Sequence, residues 1–283
     1  VARIRGPFWR KHEVMDEGRT IRLGCGLTGG EADAILAPFG RRIGPDPASA
    51  SAATIGGMVA NNAAGMCCTV DQNTFATMRH MRLILADGTV LDTEDLDGVA
   101  AFRTSHARLL EGLSALRRTI MANTALVARI RRKYSIKNTT GYAVNALTEF
   151  DDPLDILTHL MIGSEGTLGF VSSVTLATLP VLPLRATALM IFPDLDAAAR
   201  AVMALQGGCP VQGAELLDRT SIRAVEGLPS APPLLRELGV QACAVLMETR
   251  AADSNTLTRN TESILAALAG IEQVVPPSFS TDA

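Results

Sequence analysis

The chain has 283 residues, 47% hydrophobic and 19% charged, with 26 Lys and Arg against 29 Asp and Glu for a formal charge of -3. Such a composition argues against disorder, and a near-neutral balance without a Lys/Arg run offers no footprint for nucleic acid or an anionic membrane, so no nucleic-acid partner is expected. No apolar run approaches the ~20 residues that span a bilayer, which makes a cytoplasmic setting the default.

Thr20-Ile-Arg-Leu23 reads as a strand, and Thr28-Gly-Gly-Glu31 as a capping box that opens a helix through Leu36. Pro38, Gly40 and the run Gly44-Pro-Asp-Pro47 end it. Small residues dominate from 49 to 66. Residues 81–85 and 89–91 then form a strand pair around the turn Ala86-Asp-Gly88, the pattern of a hairpin. Residues 100–132 are mostly helical with a break near Asn123, and residues 137–142 are irregular. Asp152-Pro153 is an N-cap followed by proline at the first helical position, so a helix runs to about Met161. Gly163-Ser-Glu-Gly-Thr-Leu-Gly169 then leads into a strand over 170–179.

Pro180 and Pro183 mark a domain boundary, giving domains of 1–180 and 181–283. Beyond it come a strand at 187–192, a helix at 194–206, a strand at 211–216, a short helix capped by Asp218, a strand at 242–248 and a helix at 253–268. This β-α-β then β-α order fits a ferredoxin-like layer whose final strand is barely reached. The whole reads as α+β.

Three stretches are candidates for chemistry. Gly24-Cys-Gly-Leu-Thr-Gly29 matches the dinucleotide fingerprint G-x-G-x-x-G, with Asp46 at about the distance of a ribose contact. A Rossmann unit also needs a parallel strand ending in that acid, and residues 41–47 are short and broken by prolines, so a nicotinamide-dependent enzyme is the minor reading. In residues 44–65 consecutive small residues let backbone approach a flat or charged ligand, while Ser49, Thr54, Asn61 and Asn62 offer orienting hydrogen bonds. Tight packing of a helix on a sheet explains the same pattern equally well. The third stretch, 163–169, could turn backbone N–H groups toward a cofactor or serve as an ordinary glycine-rich connection.

These two small-residue segments, with Ala86-Asp-Gly-Thr89 and Lys137-Asn-Thr-Thr-Gly-Tyr142, resemble the FAD-binding oxidoreductases of the vanillyl-alcohol oxidase and p-cresol methylhydroxylase type. The nearest branch is the D-lactate dehydrogenase, glycolate oxidase flavoprotein subunit and D-2-hydroxyglutarate dehydrogenase group. The resemblance runs from about Thr20 to Pro180 and continues more loosely through Ala214-Glu-Leu-Leu-Asp218. It implies FAD as cofactor. Pro45, Ser49, Thr54, Ile55, Gly56, Gly57, Asn61, Asn62 and Gly65 would lie along it, and Glu165, Gly166, Gly169 and Val171 would form a second cofactor-facing loop. Lys137, Asn138 and Tyr142 match a segment near the active site, where a cation meets a substrate carboxylate.

The implied architecture is the second half of a bipartite FAD-binding domain followed by a partial ferredoxin-like cap. Family members carry a preceding subdomain with a pyrophosphate-binding loop, and their caps continue into His-containing metal and proton-abstracting motifs. Neither has an equivalent in these residues, so no catalytic base and no metal site is assigned. The implied activity is oxidation of a small D-2-hydroxy acid to the 2-oxo acid, with electrons passing to a quinone, cytochrome or iron–sulfur acceptor. A peripheral place on the inner membrane and a homo-oligomeric state stay open, as does an inactive or partner-dependent FAD-binding subunit. His12, His80, His106 and His159 are scattered and receive no role, and Cys25, Cys67, Cys68, Cys209 and Cys243 form neither a disulfide framework nor a metal motif.

Overall fold

A computed structural model describes residues 6–206, 208–229 and 231–281. The chain divides into two compact units, Val1–Val181 and Leu182–Ala283.

The first unit is built on an antiparallel sheet. Strands β1 (His12–Met15), β2 (Thr20–Gly24), β3 (Arg41–Ile43), β4 (Met78–Ile84), β5 (Val90–Asp92) and β6 (Phe170–Pro180) combine in the order β1-β2-β6-β4-β5, with β3 on the far end of β6. The pleat explains the register. Ile21 lies opposite Leu176, Leu23 opposite Val174, and Met81 also opposite Val174, so one face is apolar and buried. Arg22, Ser173 and Arg82 point to the other face, where they are half-buried. The hairpin at 86–88 is present. Leu85 N–H donates to the Thr89 carbonyl at 2.9 Å, and Gly88 turns the chain with φ +85°.

Helices cover the apolar face. In α1 (Gly29–Leu36) both arms of the capping box form: Glu31 N–H to Thr28 Oγ1 at 3.2 Å, and Thr28 N–H to Glu31 Oε2 at 2.9 Å. The small-residue run contains α2 (Ile55–Asn61), which buries Ile55, Met58 and Val59 in the core beneath the sheet. A short α3 (Thr74–Thr77) leads directly into β4. The long helical stretch is three helices, α4 (Leu96–Ser105), α5 (Ala107–Met121) and α6 (Thr124–Tyr134). Asn123 does break it, its side chain accepting from Leu126 N–H at 3.0 Å, and His106 breaks it a second time. A short α7 (Ala146–Glu149) precedes α8 (Pro153–Met161), which Asp152 caps.

The second unit is a three-stranded antiparallel sheet with strands β7 (Leu184–Phe192), β8 (Gly213–Leu217) and β9 (Cys243–Ala251) in the order β7-β9-β8. Helices α9 (Leu195–Leu205) and α11 (Ser254–Ala267) cover one face, packing Ala197, Ala201 and Ile264 against Met190, Val245 and Met247. On the other face α10 (Arg219–Val225) sets Ile222 against Ile191 and Ala244. Ser280 pairs with Thr187 on the outer edge of β7 through two backbone hydrogen bonds of 2.8 Å. That edge is where the fourth strand of a split β-α-β layer belongs.

The topology corrects the dinucleotide reading. β2 pairs antiparallel with β6, and β3, the strand a ribose-binding acid would have to follow, is also antiparallel to β6. No parallel β-α-β unit exists around Gly24–Gly29 among the described residues. A Cβ on Gly24 would stand 2.4 Å from the Trp9 carbonyl, and one on Gly29 would stand 3.0 Å from the Met58 sulfur, so these glycines serve packing rather than a pyrophosphate.

Candidate functional site

The two small-residue segments, about a hundred residues apart, meet in the first unit at the C-terminal end of α2. Gly163 N–H donates to the Val59 carbonyl at 3.1 Å and Glu165 N–H to the Ala60 carbonyl at 2.9 Å. The Val59 carbonyl thus accepts a second bond beside that from the C-cap Asn62 N–H at 3.1 Å, and both bonds fall in the last turn of the helix, where carbonyls have spare acceptor capacity. A side-chain bond reinforces them, Asn61 Nδ2 to Glu165 Oε1 at 2.6 Å. Backbone with positive φ concentrates at the junction: Asn62 (51°), Gly163 (80°), Glu165 (52°) and Gly166 (75°). The non-glycine members are unusual, since an L residue pays for this conformation, and here surrounding contacts hold it.

The glycines divide by what they face. A Cβ on Gly56 would lie 2.9 Å from Cys25 Cβ, one on Gly65 1.8 Å from the Asp46 carbonyl oxygen, and one on Gly169 2.9 Å from the Ile84 carbonyl. These three let backbone pack on backbone. Gly57 and Gly166 differ, because the former meets only Thr54 Oγ1 at 3.3 Å and the latter nothing within 4 Å. Both are exposed, as are Asn61 and Glu165. An open polar surface with bare backbone at two points is compatible with close approach of a flat, phosphate-bearing ligand.

Other predicted residues take structural places. Ile55, Asn62 and Val171 are buried. The Asn62 side chain accepts from Phe75 N–H at 3.3 Å, and Val171 sits in β6 opposite Leu83. Pro45 is buried and Ser49 is exposed. Thr54 caps α2 by accepting from Gly57 N–H at 3.3 Å. Asp46, weighed above as a ribose ligand, accepts from Gly65 N–H at 3.0 Å and so fixes the end of the segment.

The 137–142 segment joins the same neighbourhood. Lys137 Nζ donates to the Gly65 carbonyl, and a Cβ on Gly163 would lie 3.1 Å from the Gly141 carbonyl. Tyr142 Oη bonds Thr167 Oγ1 at 2.8 Å, while its carbonyl accepts from Tyr134 Oη at 2.7 Å. Asn138 turns inward on its own loop through Thr140 Oγ1 at 3.2 Å. Segments 54–65, 137–142 and 163–169 therefore form one connected surface. Cys67 and Cys68 follow it and are buried, and burial pushes the Cys68 thiol up to about 11, aided by the nearby Asp46 carboxylate.

A separate groove of about 460 Å³ opens next to this surface, with Asn62 and Asn138 at its border and His159, Asn145, Phe75 and Phe150 among its lining. His159, given no role from sequence, is buried, and its Nδ1 donates to the backbone carbonyl of Asp155, one turn earlier in α8, at 2.8 Å. Among the described residues no cluster of three or more His, Cys, Asp or Glu could hold a metal ion.

Comparison with known proteins matches these features to two families. Residues 5–94 match the FAD binding domain and residues 183–277 match the C-terminal domain of FAD linked oxidases. The D-2-hydroxyglutarate dehydrogenase of Pantoea ananatis is 27% identical over 195 residues, 66% of this chain and 18% of that protein. The glycolate oxidase subunit GlcD of Escherichia coli K12 is 28% identical over 221 residues, 77% of this chain and 34% of its own. The chain thus spans about a fifth to a third of the length of these relatives. Among solved structures, alkyldihydroxyacetonephosphate synthase superposes with a TM-score of 0.57 at 16% identity, covering 94% of this chain and 41% of that one, a likeness of fold. A match to the FAD binding domain over residues 5–94 is thus followed in chain order by a match to the C-terminal domain of FAD linked oxidases over residues 183–277.

Proposed function

We propose that the joined surface of residues 54–65 and 163–169 is one wall of an FAD site, and that the protein is an FAD-dependent dehydrogenase of 2-hydroxy acids. In the finer reading the substrate is a small D-2-hydroxy acid, like D-lactate or glycolate, that leaves as the 2-oxo acid. Residues 1–180 then serve as FAD-binding domain and residues 181–283 as substrate or cap domain.

The observation that carries the reading is the pair of open glycines, Gly57 and Gly166, on segments tied together by the Asn61–Glu165 bond. FAD supplies the hydride-accepting ring when bound. The chain's own residues do the positioning. Thr54 and Asp46 fix the two ends of the first segment, the Val59 and Ala60 carbonyls hold the second, and both glycines keep side chains out of the way. Lys137 brings a positive charge to the edge of this surface and is exposed, so it is available to a substrate carboxylate if it leaves the Gly65 carbonyl. Similarity to the hydroxy-acid enzymes supports the substrate class, and the acceptor remains a choice among quinone, cytochrome and iron–sulfur module.

The test is analysis of cofactor released from the purified protein, followed by turnover with D-lactate, glycolate and D-2-hydroxyglutarate and a dye as electron acceptor. Released FAD and turnover of one acid, with the L enantiomer of lactate inactive, is the expected result. FAD without turnover of any acid would make the chain a binding subunit. Absence of flavin under saturating FAD contradicts the proposal.

A further inference from the structure

A formal charge of -3 conceals an uneven distribution. Residues 107–134, which hold α5 and α6, carry seven Lys and Arg against one acid, Glu111, while the rest of the chain carries 19 against 28. Four of the seven crowd into Arg129-Ile-Arg-Arg-Lys133, a basic run that the whole-chain balance masks.

The geometry of α6 sorts that run by face. Val127 and Ile130 are buried and set one side of the helix on the core. Arg129, Arg132 and Lys133, spaced by three and four residues, share the outer side and are exposed. Leu126 stands three residues before Arg129 and Ile136 three after Lys133, and they are 38% and 66% exposed. One stripe therefore sets bare aliphatic side chains at both ends of a group of cations.

Neighbouring cations are neutralised, but these are not. Arg103 and Arg117 are held by Asp152 and Asp151. Among the described residues no acceptor holds the side chains of Arg129, Arg131, Arg132 or Lys133. The helices packed against α6 are α5 and α7, whose carboxylates are Glu111 and Glu149, and Glu149 accepts from Asn145 Nδ2 at 2.9 Å.

The pairing of cations with aliphatics selects among polyanions. Nucleic acid has phosphates but no use for exposed Leu and Ile, and single strands ask for aromatic platforms, which this stripe lacks. An acidic protein surface calls for aromatic anchors at the centre of the contact, and those are missing too. A bilayer with anionic headgroups satisfies both parts, because the charged groups meet phosphate while the aliphatic tips enter the layer beneath.

We propose that the outer side of α6 docks the protein on an anionic phospholipid surface. The contact is peripheral, since Val127 and Ile130 stay in the core and no helix among the described residues is long and apolar enough to cross a membrane. It does not rest on the flavin reading.

Sedimentation of the full chain with phosphatidylcholine vesicles, with and without phosphatidylserine, tests it. Binding is expected only with phosphatidylserine, weakened by salt, and reduced about 100-fold in the triple variant Arg129→Gln, Arg132→Gln, Lys133→Gln, which is about fivefold per cation. The triple variant Arg200→Gln, Arg223→Gln, Arg259→Gln removes three exposed cations of the second unit and keeps full affinity, which separates a local patch from net charge. Leu126→Ser with Ile136→Ser weakens vesicle binding several-fold without changing binding of polyglutamate or duplex DNA. All these side chains are exposed, and unchanged thermal melts confirm that the variants fold. Absence of phosphatidylserine-dependent binding, equal losses in the two triple variants, or tighter binding of duplex DNA or polyglutamate than of vesicles overturns the proposal.

Discussion

Asn61 donates to Glu165 at 2.6 Å, joining the end of α2 to a loop 104 residues later. Glu165 accepts that bond from a backbone with φ +52°, a conformation that costs an L residue about 1–2 kcal/mol. Two opposed effects therefore meet at one residue. Glu165→Gly relieves the backbone while losing the bond, whereas Glu165→Ala loses the bond and keeps the strain. Urea unfolding is expected to find Glu165→Gly more stable than Glu165→Ala by about 1 kcal/mol. Equal stabilities would mean that the loop relaxes elsewhere.

Neighbouring glycines of α2 separate packing from ligand access. At Gly56 a methyl would press on Cys25, an overpacking expected to cost about 1–3 kcal/mol. At Gly57 the added methyl meets only Thr54 Oγ1, and the gain in helix propensity of roughly 1 kcal/mol offsets that contact. Thermal melts should thus show Gly56→Ala clearly weakened and Gly57→Ala within about 1 kcal/mol of the parent. FAD titration should rank them the other way, with Gly57→Ala losing affinity while still folded.

Burial holds the His159 imidazole below its ordinary range, outweighing the Asp155 carbonyl and charge that favour protonation. The unfolded chain protonates at the ordinary value near 6.5, so as pH falls through that value the unfolded state binds more protons and folding weakens. The stabilisation is complete above about pH 7.5 and declines toward pH 5.5. Melting curves across that window should show a falling midpoint for the parent and a flatter profile for His159→Phe, which retains a ring against Phe150. A slope unchanged by the substitution would assign the effect to other groups.

Much of the first unit could be read from local rules. The capping box at Thr28, the proline after Asp152 and the turn at Gly88 each name their own geometry, because capping and turn chemistry act within a few residues. β1 and β3 were invisible. Three or four residues carry too little periodicity, and β3 exists because β6 is long enough to pair with it at Thr178–Pro180. The glycines at 24 and 29 are a similar case: sequence shows that glycine recurs there, while only the tertiary contacts with Trp9 and Met58 show what requires it. At the site, the two small-residue segments were legible as segments. Their joining through Asn61 and Glu165, the division of the glycines by facing, and the groove at His159 depend on long-range packing that no local window contains.

Lys137 is exposed and bonds a backbone carbonyl, so its removal should barely affect folding, by less than about 0.5 kcal/mol. If it receives a substrate carboxylate, Lys137→Met raises KM for the hydroxy acid several-fold and changes kcat little. Steady-state kinetics with D-lactate and with its uncharged methyl ester would check this, since only the acid should respond.

Hydrogen–deuterium exchange with and without FAD tests the central claim most directly, because it reads both segments in one experiment. Joint protection of amides in 54–62 and 163–169 on adding FAD, diminished in Gly57→Ala, is the expected outcome. Protection of only one segment, or of neither while FAD binds elsewhere, would contradict the account.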